Sequence, residues 1–162
     1  MTRFVVVPGA LALLPSYGGI EDPVADLRAA ALAAVRWLGG APRVVASAQG
    51  GRVAAALVSE VPEAASDGVL VVANGSAKRT EKAPGHLDER ALAFDDALRS
   101  ALLAGDLSHL DQDLALELWA DVDSLVWLGQ EVDLDPATVQ VDYDDDPYGV
   151  QYWVVRMEGV WR

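Results

Sequence analysis

Three short runs of apolar, largely β-branched residues constrain the fold of this chain more than any other feature. They lie at residues 4–7, 43–47 and 69–73, and the last, Val-Leu-Val-Val-Ala, is the clearest strand in the chain. Such short runs, bounded by turn residues, are typical of buried strands. Pro8-Gly9 follows the first run, Gly50-Gly51 the second, and a polar loop at residues 74–87 the third.

The segment between the first two runs predicts a helix. A loop with Pro15 and Gly18-Gly19 leads to Asp22-Pro23, a pair typical of a helix start, and Gly39-Gly40 marks the end. The apolar face of this helix is formed by Val24, Leu27, Ala31, Val35 and Leu38. Strand, helix and strand in this order predict a parallel pair joined by a right-handed crossover. Residues 52–59 fit either a helix or a strand.

The second half of the chain predicts more helices and a closing hairpin. Asp88 is a helix cap and Gly105 a helix stop, and residues 110–131 contain one or two further helices. Residues 139–143 and 150–156 alternate in polarity around a turn, as in a β-hairpin. No repeat or linker interrupts residues 1–162. We therefore expect one α/β domain with a three-layer arrangement, in which helices flank a mostly parallel sheet that ends in a β-hairpin.

Composition excludes several classes of function. The chain has no cysteine, which rules out disulfides, thiolate catalysis and cysteine-based zinc sites. Its net charge of −13 argues against nucleic-acid binding, because polyanions would be repelled. No run approaches the roughly 18 apolar residues of a membrane span, and the N-terminus does not resemble a signal peptide. We expect no membrane partner and a cytoplasmic location.

The charge is unevenly distributed along the chain. Residues 1–87 hold eight Lys or Arg and seven Asp or Glu, a balance of +1, whereas residues 88–162 hold four and eighteen, a balance of −14. This asymmetry favours a ligand site in the first half and a solvated acidic surface in the second.

The common catalytic motifs are absent. The sequence has no phosphate-binding glycine loop, no dinucleotide fingerprint and no nucleophile elbow, and His86 and His109 are its two histidines. The acidic series Asp142, Asp144 and Asp146 resembles the start of a calcium loop, but proline and tryptophan stand where that loop needs glycine and glutamate. A solvated hairpin turn is the favoured interpretation of this series over a weak divalent-ion site. Core or interface positions are expected for Trp119, Trp127, Trp153 and Trp161.

The loop at residues 74–82 is the segment that most suggests a binding site. It follows the clearest strand, where open α/β sheets place their ligands. It also contains three of the twelve positive residues, including both lysines. Two interpretations stay open: an anion- or carboxylate-binding loop, and an exposed polar loop that balances an acidic surface.

Three segments together carry a resemblance to a known family. They are Val5 to Ala10 with Leu13-Leu14-Pro15, then Val44 to Gly51, and then Val71 to Gly75 with Ala83-Pro84-Gly85, Asp88 and Phe94-Asp95. The chain resembles short bacterial members of the class III (LigB-type) extradiol ring-opening dioxygenases, and Tyr143 and residues 147–152 are similar to their closing strands. The chain is shorter than usual for the family, which implies that part of the middle or end is missing.

The resemblance also implies that the family's chemistry is lost. The family holds a non-haem Fe(II) with two histidines and a glutamate, and uses another histidine for acid–base work. The resemblance places Gly9 and Gln49 at the two histidine ligands, and Lys78 or Arg79 at the acid–base position. Glycine offers no ligand atom and an amide replaces imidazole poorly, so we expect no bound iron, no cofactor and no catalytic residue.

The leading hypothesis is therefore a divergent, non-catalytic relative of these dioxygenases that binds a small anionic or aromatic molecule or supports assembly. The candidate ligand-binding residues are Gly9, Gln49, Asn74, Ser76, Lys78 and Arg79. One alternative is an active enzyme whose metal site is rebuilt or is completed by a partner subunit. Another is an acidic interaction protein that forms a homodimer through its tryptophan-rich half.

Overall fold

A computed structural model describes residues 1–17 and 22–162 as a six-stranded sheet with helices on both faces. The strands are β1 (Thr2–Val7), β2 (Arg43–Val45), β3 (Val69–Val72), β4 (Val132–Leu134), β5 (Gln140–Asp145) and β6 (Tyr152–Trp161). The helices are α1 (Ala25–Leu38), α2 (Ala48–Ser59), α3 (Ala91–Ala104), α4 (Gln112–Glu117) and α5 (Asp123–Glu131). Short 3-10 turns occur at Leu11–Leu13, Pro15–Tyr17 and Pro136–Thr138.

The sheet combines a parallel half with an antiparallel half. Its order is β2-β3-β1-β6-β4, and β5 also pairs with β6. Strands β2, β3 and β1 are parallel, whereas β6 is antiparallel to β1, β4 and β5. The predictions of an α/β sheet flanked by helices and of a closing hairpin are confirmed. Strand β4, which the sequence did not reveal, pairs with the far end of β6.

The order of the parallel strands differs from the sequence prediction. Strand β3 lies between β1 and β2, so β1 and β2 do not form the predicted pair. Helices α1 and α2 cover the same face of the sheet. Because their crossovers run in opposite directions over that face, only one can be right-handed, although the right-handed form is the usual one. Strand β2 suits an edge because Val44 is 41% exposed, whereas β3 is buried throughout.

Both faces of the sheet are buried, which explains the continuous apolar strands. In β1, Val5 and Val7 face the core formed with α1 and α2. Phe4 and Val6 face a second core formed with α3, α4 and α5. The three expected layers are therefore helices, sheet and helices.

Most of the sequence signals for helix starts and ends mark the correct helices, although α1 and α3 begin a few residues later than predicted. Gly39 and Gly105 end α1 and α3 with φ angles of +98° and +65°, a region that glycine tolerates best. Asp22 and Asp88 each cap a turn just before α1 and α3 rather than the helix itself. Residues 110–131 form two helices, and residues 52–59 belong to α2. The predicted loop at Gly18-Gly19 lies outside the described residues.

The prediction of a turn at Gly50-Gly51 is wrong, because both glycines lie in the first turn of α2. The Ser47 side chain caps this helix by accepting a hydrogen bond from Gly50 N at 3.2 Å. Glycine at position 50 lets the helix approach β3, since a Cβ there would lie 2.8 Å from Val72 Cγ1. The close approach places the start of α2 beside the ends of β1 and β3.

Candidate ligand-binding cleft

A cleft of about 540 Å³ lies where the chain leaves the parallel strands. Gly9 follows β1, Gln49 lies in the first turn of α2 after β2, and Asn74 follows β3. Ligands of open α/β sheets bind at this end of the strands, because the loops there diverge and leave a crevice. Aromatic walls are formed by Trp119, Tyr148 and Tyr152, and Ala10, Leu11 and Val150 add aliphatic surface.

Three of the predicted ligand-binding residues meet at the floor of this cleft. Gln49 Nε2 donates a hydrogen bond of 2.8 Å to Gly9 O. A Cβ on Gly9 would lie 3.4 Å from Gly50 Cα and 3.7 Å from Asn74 Oδ1. The backbone of Asn74 is fixed by two hydrogen bonds of 3.0 Å with Asp121, one in each direction. The floor therefore presents two amide side chains, each able to donate and to accept hydrogen bonds.

Two other predicted residues, Ser76 and Arg79, belong to a buried network beneath the loop. Asp95, which is fully buried, accepts hydrogen bonds from Ser76 N at 2.8 Å, from Ser76 Oγ at 2.6 Å and from Arg79 Nη1 at 2.9 Å. Arg79 Nε also donates to Asp146 Oδ2 at 2.7 Å. Burial acts to lower the pKa of Arg79, but Asp146 and Asp95 outweigh it and raise that pKa. The network balances the charge of Arg79 and anchors the loop to α3.

The side chain of Lys78 makes different contacts from that of its neighbour Arg79. Its Nζ lies 5.2 Å from the ring centroid of Trp119, a cation–π contact with a residue that lines the cleft. Its aliphatic stem passes close to Gly85, where a Cβ would lie 2.6 Å from Lys78 Cγ. Lys78, Ser76 and Arg79 all lie outside the lining of the cleft, and Lys78 is linked to it only through its contact with Trp119.

The aromatic walls are the part of the site that sequence reasoning missed. Of the tryptophans expected in a core or an interface, Trp153 is buried, and Trp119 is 56% exposed and lines the cleft. Tyr148 is 39% exposed. Burial raises the pKa of Tyr152 to about 12. All three cleft aromatics belong to the acidic half, whereas the charge distribution favoured a ligand site in the first half.

A carboxyl group with a shifted pKa lies next to the floor. Asp121 follows α4, and its backbone bridges Asn74. Burial raises the pKa of Asp121; a hydrogen bond of 3.3 Å from Ser47 Oγ partly opposes the shift, and the charge of Asp123 adds to it. The side chain therefore retains its proton to a higher pH than an exposed aspartate would.

The acidic series of the hairpin is explained by ion pairs. Asp142 pairs with Arg156 at 2.7 Å, Asp144 with Arg99 at 2.6 Å and Asp146 with Arg79 at 2.7 Å. The three carboxylates therefore point to three different guanidinium groups. Within residues 1–17 and 22–162, no three His, Cys, Asp or Glu side chains are grouped so that they could hold a metal ion.

The fold and the cleft define an α/β protein whose candidate ligand site lies at the carboxyl ends of its parallel strands. Comparisons with protein-family models, with curated proteins and with solved structures find no match. The relation to class III extradiol dioxygenases therefore rests on the sequence motifs and stays a prediction. No helix in the described ranges is long and apolar enough to cross a bilayer.

Proposed function

We propose that this protein is a divergent relative of the class III extradiol dioxygenases that binds a small aromatic molecule without transforming it. The observation that carries the proposal is the pairing of three aromatic side chains with two amide groups in one open cleft. Binding sites for small molecules have this character: mostly apolar walls that supply contact area, and a few polar groups that fix orientation. A planar ligand with one polar substituent fits such a surface best.

The position of Gly9 and Gln49 supports the relation to the dioxygenases. The resemblance assigns these residues to the two iron-binding histidines, 40 positions apart in the chain. They are in direct contact, through the hydrogen bond from Gln49 Nε2 to Gly9 O. Two histidine ligands of one metal ion would have to be this close.

The same two residues do not fit an iron ion. Gly9 has no side-chain ligand atom, and Gln49 could offer only a neutral amide oxygen, because its Nε2 donates to the Gly9 carbonyl. Non-haem Fe(II) needs two imidazoles and a carboxylate on one face. We therefore derive no reaction step through iron, and propose that the cleft binds its ligand without chemistry.

The test is a calorimetric titration with 2-naphthamide, a neutral planar probe. We expect binding to the unmodified protein and a roughly tenfold weaker affinity for Tyr148→Ala, because an aromatic contact is worth about 0.5–1.5 kcal/mol beyond its buried area. Leu116→Ala is the matched control, since Leu116 is an apolar residue that is 79% exposed and lies outside the cleft. Absence of binding, or equal losses in the two variants, would contradict the proposal.

Metal analysis of the purified protein tests the proposal that the cleft binds its ligand without iron and without chemistry. We expect substoichiometric iron and no ring cleavage of catechol-type substrates. Stoichiometric iron with ring-cleavage activity would instead favour the alternative of an active enzyme with a rebuilt or partner-completed site. The second alternative, an acidic homodimer, also stays a prediction, and gel filtration at two protein concentrations tests it.

A further inference from the structure

A second cavity, of about 150 Å³, lies against helix α3 and shares no lining residue with the cleft. One wall is a single face of α3, because Phe94, Ala97, Leu98 and Ala101 recur at helical spacing. Val122, which precedes α5, adds a buried apolar side chain. The loop between α3 and α4 supplies the remaining lining. The cavity is therefore enclosed by segments that the first cleft does not use.

The two alanines of this helix face explain why the space is open. Phe94 and Leu98, the larger members of the face, are buried in the core at 9% and 3% exposure. Ala97 is exposed and Ala101 is half-buried, and neither side chain extends beyond Cβ. Leu110 of the loop also lines the cavity and is only half-buried. The protein's own side chains thus leave apolar surface partly uncovered here.

The loop also brings two aspartates, Asp106 and Asp111, to this cavity. Oδ1 of Asp106 accepts hydrogen bonds from the hydroxyl group and, at 3.1 Å, from the amide group of Ser108. Oδ1 of Asp111 caps α4 by accepting a hydrogen bond of 3.0 Å from Leu114 N. These bonds hold both side chains in place, and the Oδ2 atoms have no hydrogen-bond partner among the residues that the structure describes.

Neither carboxylate is neutralised by a nearby cation. In the part of the chain that the structure describes, no Lys, Arg or His nitrogen lies within 4.0 Å of Asp106 or Asp111. Arg162 acts on Asp106 from farther away and pairs with Asp133 at 2.8 Å. His109 also lines the cavity, and its neutral ring can accept a hydrogen bond. The cavity therefore joins an apolar interior to an exposed, negatively charged edge.

We infer that this cavity binds a small organic ammonium ion that carries an apolar group of about the size of benzene. A cavity of about 150 Å³ lined by apolar side chains is large enough for benzene. The apolar group occupies the space beside Phe94 and Leu98, and the ammonium group pairs with Asp106 and Asp111. The net charge of −13 favours the encounter, because it attracts cations. The inference concerns a separate site and does not depend on the proposed function.

The test is a calorimetric titration with benzylamine, a cation at pH 7, and with benzyl alcohol, which has the same ring and no charge. We expect benzylamine to bind about tenfold more tightly. Asp106→Asn and Asp111→Asn should each weaken benzylamine binding about fourfold and leave benzyl alcohol binding unchanged. Asparagine at position 111 retains the cap of α4. Asp113→Asn is the matched control, because it removes the same charge from an exposed aspartate outside the lining, and it should change neither affinity.

Ala101→Leu tests the location of the site. We expect both probes to bind at least tenfold more weakly, because the longer side chain fills the cavity. The melting temperature should not fall, since leucine is a good helix former and enters open space. Ala93→Leu is the matched control, because Ala93 is an exposed alanine of α3 that does not line the cavity.

Three results would overturn the inference. Equal affinities for the two probes, or equal losses in Asp111→Asn and Asp113→Asn, would show that the site does not select an ammonium ion. Unchanged binding in Ala101→Leu would show that the probes bind elsewhere. Absence of benzylamine binding to the unmodified protein would remove the site altogether, while the titration with 2-naphthamide decides the proposed function separately.

Discussion

Trp119 combines an unfavourable backbone conformation with a largely exposed side chain. An L-residue in the left-handed region is disfavoured by about 1–2 kcal/mol. At φ +59° and 56% exposure, Trp119 bears this penalty without the burial that usually accompanies a tryptophan. Trp119 also lines the cleft, and strained residues concentrate at ligand sites, which is the physical basis for assigning it a role there.

Replacement of Trp119 should reverse the ordinary order of helix propensity. At most helical positions alanine is more stabilising than glycine, but at position 119, which follows the end of α4, the left-handed backbone favours glycine. We expect Trp119→Gly to exceed Trp119→Ala in unfolding free energy by about 1 kcal/mol. Urea denaturation of the two variants measures the difference. A more stable alanine variant would show that the backbone relaxes out of the left-handed region.

At the scale of elements, helix α2 shows how two adjacent glycines can have opposite roles. A Cβ on Gly50 would lie 2.8 Å from Val72 Cγ1 and 3.2 Å from Val72 Cβ, whereas a Cβ on Gly51 would have nothing within 4 Å. Gly50 is thus required for the contact between α2 and β3, which also places Gln49 at the floor of the cleft. Gly51 only adds backbone freedom to the unfolded chain.

These two glycines give a matched pair of substitutions. Gly51→Ala should stabilise the protein by about 0.5–1 kcal/mol, because alanine is the better helix former. Gly50→Ala should destabilise it by about 1–2 kcal/mol, because the added methyl group pushes α2 away from β3. Thermal denaturation of both variants provides the measurement. Similar effects at the two positions would contradict the proposed close packing.

At the scale of the whole molecule, paired arginines organise the acidic surface. Arg79, Arg99 and Arg156 each pair with a carboxylate of β5 or the turn that follows it. The second half of the chain is therefore not simply a solvated acidic surface, since its hairpin is joined by ion pairs to α3 and to the loop after β3. Exposed pairs of this kind contribute little individually, but several together tie distant segments.

The pKa values of paired aspartates predict acid sensitivity. A hydrogen bond from Arg90 lowers the pKa of Asp88 from 3.8 to about 2. Side-chain hydrogen bonds also lower the pKa values of three other aspartates: Asp144 through Arg99, Asp22 through Arg28 and Asp106 through Ser108. Because the unfolded chain binds protons more readily at these sites, their stabilising effect is present above pH 3.8 and is lost as the pH falls toward 2. Unfolding free energy measured by urea denaturation should therefore decrease over this interval.

Two substitutions with opposite expected effects on stability at low pH test these pKa shifts. Asp88→Asn should make the acid-induced loss of stability shallower, since it removes a carboxylate whose folded pKa is lowered. Burial raises the pKa of Asp121, so the folded protein binds this proton more tightly and gains stability on acidification. Asp121→Asn should therefore make the loss steeper. The same pH profile in both variants would contradict the assigned shifts.

The sequence by itself determined the local elements of this protein. The β-branched runs form β1, β2 and β3, glycines end α1 and α3, and alternating polarity marks the final hairpin. It also indicated Gly9, Gln49 and Asn74, because the carboxyl ends of parallel strands lie at the same edge of the sheet, where ligands bind. Each of these signals depends on a residue's own conformational preference or on neighbours within a few positions.

Only the tertiary structure decided which segments meet. Nothing local indicates that β3 lies between β1 and β2, that Arg79 is held by a carboxylate 67 positions away, or that Trp119 lines the cleft. Strand order, ion-pair partners and exposure are set by contacts between distant parts of the chain, and many pairings are compatible with the same local preferences. For that reason the residues that form the walls of the cleft became visible only once the helices were packed on the sheet.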